Sequence, residues 1–335
     1  MSKCELHIVF DHDDRTYKLG EAITGKIQIL AHEAFHCRKI TLICAWRTQG
    51  RGNKASGGEE GMAFAEDAKF QSGELKEYPF QFAARRGPVS YQGHYLNVEW
   101  YLRAQVDIPI AVDVIREEKF MLAAGDISEE IVLGTEDQLE EAAAPSSFKE
   151  RMTMARVLAV PFFVLGVAMI VLGGSNLVAL LLGLAVAGFG GWQLFMMLRN
   201  KLAQQRVSAL EVKVHPVKIR AGNAVECKFL FDSRDARRLR KITATLKAEE
   251  RVVSGAGGLK NSHTHKIYET VLEQSNQEVA PLGDKAEIKI PVPIPSNAPS
   301  TFRAPDNALI WSIRVQIDIP DWPDWVQEFP LTVVP

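Results

Sequence analysis

Residues 100–109, WYLRAQVDIP, alternate between apolar and polar positions. Trp100, Leu102, Ala104, Val106 and Ile108 take one side of the period; Tyr101, Arg103, Gln105 and Asp107 take the other. Period-2 alternation predicts a strand with one buried and one wet face, and Pro109, which has no amide donor, suits its exit. Residues 311–320, WSIRVQIDIP, repeat the pattern with six identities in ten positions. The shared Arg-Gln-Asp row reads either as a binding face or as a solvated face pairing across strands, and its presence in both copies favours the second.

The repetition extends along the chain. PVSY (88–91) stands against PSTF (299–302) in the same register, GEAITGKIQI (20–29) against GNAVECKFLF (222–231), and RKIT occurs at both 38–41 and 240–243. Matching blocks in one order indicate a duplication. Each copy is roughly the size of one β-sandwich domain, with strands separated by Gly, Pro, Asn and Asp clusters. The predicted domains are an N-terminal sandwich over 1–125 and a C-terminal duplicate over 201–335.

Between the copies the pattern changes. Residues 126–150 carry eight acidic residues and one lysine and read as a solvated linker, with a short helix over 136–144. Val157–Leu172 and Leu177–Leu198 contain no charged residue. As helices, the second run is roughly 33 Å long, and the first about 27 Å once Gly173 and Gly174 are counted, against about 30 Å of hydrocarbon in a bilayer. The expectation is therefore a two-helix transmembrane hairpin over 151–200, with spans at about 157–174 and 177–198. GGSN (173–176) is a tight turn, so both sandwiches fall on one side. Lys149, Arg151, Arg156, Arg199, Lys201 and Arg206 flank the spans, which predicts that this side is cytoplasmic, with both termini there, as in an integral inner-membrane protein. Gly183, Ala187 and Gly191 form a small-residue stripe suited to packing on the first helix or on another copy of the chain.

Composition alone hides this centre: 47% hydrophobic, 24% charged and a net charge of −2 describe an ordinary globular chain and give no reason to expect nucleic acid. Cys4, Cys37, Cys44 and Cys227 show no paired spacing, so no disulfide framework is predicted.

YKLGEAITGKIQILAHEAFHCRKITLICAWRTQG (17–50) resembles the opening strands of the arrestin fold. PFQF (79–82), followed by GPVSYQGHYLNVEWYLRAQVDIP (87–109), looks like that family's later Pro-Ser-aromatic-x-Gly stretch leading into a strand that ends at Asp-x-Pro. The second copy shares the pattern more weakly, with Arg220-Ala221-Gly222 and Pro305-Asp306 as departures. The resemblance implies a mainly β fold of two tandem arrestin-like, immunoglobulin-like β-sandwiches; the hairpin between them departs from the family. It also places the glycine-rich segment 50–61, GRGNKASGGEEG, where arrestins carry a long receptor-contacting loop, so Arg51 and Lys54 become candidate residues for meeting an acidic partner.

Three motifs suggest other chemistry. HEAFH (32–36) fits the zincin pattern, in which His32 and His36 bind zinc from one helical face while Glu33 activates water. The position speaks against it, because a connection of about seven residues between strands predicted at 23–30 and 38–46 leaves no room for the helix. His263 and His265 stand two apart and would point to one side of a strand, where they could share a metal. The 50–61 segment lacks the Gly-Lys-Ser/Thr ending that cradles phosphate. No catalytic residue, metal or cofactor is assigned. The reading is a membrane-anchored, cytoplasm-facing scaffold or adaptor that recruits a protein partner and is not an enzyme. The alternatives are a membrane-bound zinc metalloprotease and a subunit of a membrane transport or pore complex, for which Gln193 is the one polar residue within the spans. Expected partners are the lipid bilayer, a protein, and a second copy through the helical stripe.

Overall fold

In the computed structural model, the described residues are 3–83, 87–125, 160–172, 176–206, 211–232, 241–275, 280–282, 285–318 and 324–335. The predicted acidic linker at 126–150 lies outside them.

Among the described residues, the first copy contains nine strands: β1 (Cys4–Phe10), β2 (Thr16–Lys18), β3 (Ala22–Ala31), β4 (Phe35–Gly50), β5 (Ser56–Phe70), β6 (Leu75–Ala83), β7 (Tyr91–Gln92), β8 (Leu96–Asp107) and β9 (Val114–Ala123). One sheet runs β1-β3-β6; the other runs β2-β9-β8-β4-β5, with β7 on β8. Alternation decides which side of each strand is inside. Ile23, Ile27 and Ile29 of β3 are fully buried, as are Ile40 and Leu42 of β4 and Leu102, Ala104 and Val106 of β8. The rings of Phe10 and Phe120 meet across the two sheets, with centroids 6.0 Å apart. Each such aliphatic side chain contributes roughly 1.5–3 kcal/mol by leaving water.

The second copy contains β10 (Glu211–His215), β11 (Lys218–Arg220), β12 (Ala224–Asp232), β13 (Lys241–Ser254), β14 (Asn261–Ser275), β15 (Ala280–Leu282), β16 (Lys285–Pro293), β17 (Phe302–Ala304), β18 (Asn307–Asp318) and β19 (Trp325–Val334). Its larger sheet, β11-β19-β18-β13-β14 with β17 on β18, has the same order as its counterpart. Even the parallel pairing recurs, β2 on β9 and β11 on β19.

The duplication holds at the level of single hydrogen bonds. Trp100 donates its indole N–H to the Pro88 carbonyl at 2.7 Å, and Trp311 donates to Pro299 at 2.9 Å. The Ser90 hydroxyl accepts the Leu122 amide, and the Thr301 hydroxyl accepts the Val333 amide, both at 2.9 Å. Gln105 donates to Asp113 at 2.8 Å and Gln316 to Asp324 at 2.6 Å. The conspicuous Gln of the repeated strand therefore pins the following loop.

Two helices are described between the lobes: α1 (160–172) and α2 (Leu177–Arg206). Among the described residues, no helix is long and apolar enough to cross a membrane. The described residues of α1, 160–172, make a rod of roughly 20 Å, short of the hydrocarbon thickness. The transmembrane hairpin in the expected fold class is corrected accordingly. The expected membrane anchoring, cytoplasmic orientation and inner-membrane location, which rested on it, fall with it. The small residues pack the two helices on each other. A side chain at Gly166 would come within 2.2 Å of the Ala187 amide nitrogen, and one at Gly183 within 2.9 Å of the Gly166 carbonyl.

Because the two indole bonds are equivalent, Trp100→Phe and Trp311→Phe each leave a proline carbonyl without its donor. Each substitution is expected to lower the unfolding free energy by about 1–3 kcal/mol, measured by urea denaturation at unchanged slope. Losses that differ by several kcal/mol between the lobes would contradict the equivalence.

Candidate functional site at the lobe seam

The inward row of β13 reads Ile242, Ala244, Leu246, Ala248 and then Glu250, which is 0% exposed. A carboxylate in an apolar row costs several kcal/mol unless donors surround it. Here the donors come from the other lobe. The Tyr91 hydroxyl donates to Glu250 Oε1 at 2.7 Å and the His94 amide to the same oxygen at 2.9 Å. The Tyr95 amide donates to Oε2 at 2.6 Å. Gly93 makes this approach possible, since a Cβ there would lie 1.8 Å from Oε1. Burial, and secondly the bond to Glu250, push the Tyr91 hydroxyl pKa well above its ordinary value.

The second half of the seam uses equivalent pieces in the opposite sense. The turn joining β4 to β5 reaches the start of β18. Asn53 donates through Nδ2 to the Asp306 carboxylate at 2.8 Å and to the Gly255 carbonyl at 2.9 Å, while its Oδ1 accepts the Gly255 amide at 3.1 Å. Its backbone amide donates to the Val253 carbonyl at 2.8 Å. Asn307, itself buried, returns a bond from Nδ2 to the Asn53 carbonyl at 2.6 Å. Rings flank these bonds: His94 stacks on His265 at 4.3 Å and Trp46 meets Phe302 edge-on at 5.7 Å. Charge-assisted bonds, backbone bonds and aromatic packing thus hold the lobes as one body.

The segment expected to be a glycine-rich contact loop divides in two. Residues 51–55 form the seam turn, and Ser56 onward belongs to β5. Thr48 and Ala55 fix the turn's base, through Thr48 N to Ala55 O at 2.7 Å and Ala55 N to Thr48 Oγ1 at 2.8 Å. Arg51 and Lys54, the candidate partner-binding residues, are both exposed and bracket the anchored Asn53. The Arg51 guanidinium lies over the Tyr95 ring at 5.2 Å.

The metal motifs do not assemble. His32 and Glu33 lie in the bend between β3 and β4, and His36 is already in β4, so no helix places the two histidines on one face. Instead His36 faces Asp67 at 3.5 Å and Glu33 faces Lys3 at 3.7 Å. The side chains of His263 and His265 do share a side, but they meet the rings of His94 and Tyr95. Among the described residues, no group of three or more His, Cys, Asp or Glu residues could hold a metal ion. The four cysteines are buried thiols; burial pushes those of Cys44 and Cys227 up to about 12, far from a reactive thiolate. Of the repeated polar row, Asp107 pairs with Arg38 at 3.1 Å.

Sequence reasoning missed Glu250. The signal was present: in KITATLKAEERVV (241–253), Glu250 occupies the position where the alternation demands an apolar residue.

Two tandem β lobes are the architecture that the arrestin resemblance implies. Among solved structures, the chain is similar to Spo0M, a sporulation control protein from Bacillus subtilis. The identity is 9% and the TM-score 0.32, over 82% of this chain and 91% of that one. Likeness at that level assigns no function. No protein-family model and no curated protein matches the chain.

Glu250→Ala would leave three donors unpaired, and a loss of about 3 kcal/mol or more is expected, with faster hydrogen exchange at the His94 and Tyr95 amides. Unchanged protection there would contradict the bonding scheme. Tyr91 makes a pH prediction. Its folded pKa is raised, so the folded state keeps a proton that the unfolded state loses above its ordinary pKa of about 10. The corresponding stability is complete below that pH and declines as pH rises towards the folded value. Stability at alkaline pH should therefore fall more steeply in the wild type than in Tyr91→Phe. Finally, His32→Ala with His36→Ala should change stability by no more than about 1 kcal/mol and leave zinc content unaltered by elemental analysis.

Proposed function

We propose that the chain is a non-enzymatic scaffold or adaptor that holds two β lobes as one frame and recruits a protein partner at the seam. The observation that carries this reading is the seam turn. Asn53 is bonded to Asp306, Gly255, Val253 and Asn307, while Arg51 and Lys54 on either side of it remain exposed. Binding residues collect on loops held by a rigid support, and two cations presented by a fixed backbone suit an acidic segment of a partner. Such an interaction gains on-rate and selectivity from charge more than from buried area.

Charge reversal tests it without touching the anchor. Arg51→Glu with Lys54→Glu should abolish recovery of the partners that cross-link to the wild type in cells, while expression and unfolding midpoint stay unchanged. Recovery of the same partners from the reversed protein would remove the turn as the recruiting surface.

A further inference from the structure

A cavity of about 330 Å³ opens between the lobes, beside the Glu250 seam. Equivalent segments of the duplicated lobes form its two sides, 87–91 from one and 299–303 from the other, with β19 closing it. The wall is largely apolar for a specific reason: several of its polar groups are already engaged within the protein. The Pro88 and Pro299 carbonyls accept the two indole donors, and the Ser90 and Thr301 hydroxyls accept the Leu122 and Val333 amides. The Tyr91 hydroxyl donates to Glu250, and the Thr332 amide donates to the Val217 carbonyl at 2.9 Å. Pro88, Pro299 and Pro330 have no amide to offer. What faces the space is chiefly hydrocarbon, including Val89, Val217, Phe302 and Leu309.

The charged side chains in this lining are both cationic, Lys218 and the half-buried Arg303. Ligand sites combine an apolar cavity of this order of size with a few polar groups that fix orientation. An apolar wall excludes sugars and nucleotides, whose hydroxyls would go unpaired. The modest volume also excludes a two-chain lipid.

We propose that this cavity binds a single-chain amphiphile with an anionic head, a medium-chain fatty carboxylate, with the alkyl chain between the lobes and the carboxylate on Arg303. Arg303 presents planar, paired donors suited to that head. Occupancy would add apolar contacts to both lobes at once and so bind the joined state in preference to the separated one.

Titration calorimetry of the full chain with dodecanoate and dodecanol, both below their aggregation concentrations, tests this directly. Dodecanoate should bind at one per chain and at least about 10-fold more tightly than dodecanol, the expected loss when a charge-assisted bond is removed. Arg303→Gln should bring the acid close to the alcohol's affinity. Val89→Trp, which fills the cavity, should abolish binding; if that variant does not fold, Ser300→Trp fills it from the opposite lobe. Equal affinity for acid and alcohol, absence of saturable binding, or full binding by a folded cavity-filled variant would each overturn the proposal. The last result would move the binding to the exposed apolar side chains of α1 and α2.

Discussion

A carboxylate can be buried at tolerable cost only where donors replace the water it gives up, and the meeting of the two lobes is organised around that requirement at Glu250. Its three donors all come from residues 91–95 of the first lobe. The second lobe therefore carries a polar group that only the first can satisfy. Apolar contact alone tolerates sliding, whereas two oxygens receiving two backbone amides and a phenol fix one register. Gly93, which leaves room for the carboxylate, and Asn53, which ties the other end of the seam, belong to the same arrangement.

Much of the β architecture was legible from periodicity. The alternation of residues 100–108 gave the strand and its buried side, and Leu102, Ala104 and Val106 are fully buried as that pattern requires. The duplication was legible for the same reason: repeated strands need repeated anchors, and Trp100 and Trp311 with their prolines are such anchors. The connection around His32 is too short for a helix, and the chain turns there in three residues.

Other features depend on contacts that no local pattern encodes. Glu250 looks like one more glutamate in AEER until β13 is known to be central in its sheet and to face another lobe. The 50–61 segment looks free because glycine-rich turns usually are. Its anchoring to Asp306 and Asn307 joins residues some 250 positions apart. The apolar runs at the centre misled in a different way. Absence of charge suggested two spans, but among the described residues no helix is long and apolar enough to cross a membrane. The glycines that a bilayer would tolerate instead bring the two helices into close contact.

The seam is expected to make a single cooperative body of two duplicated lobes. Differential scanning calorimetry of the intact chain tests it most directly. One endotherm, with calorimetric and van't Hoff enthalpies in agreement, is the expected result. It should split into two when Glu250→Ala and Asn53→Ala are combined. Two separate transitions in the unaltered protein, unmoved by those substitutions, would show that the lobes fold independently and that the seam bonds do not couple them.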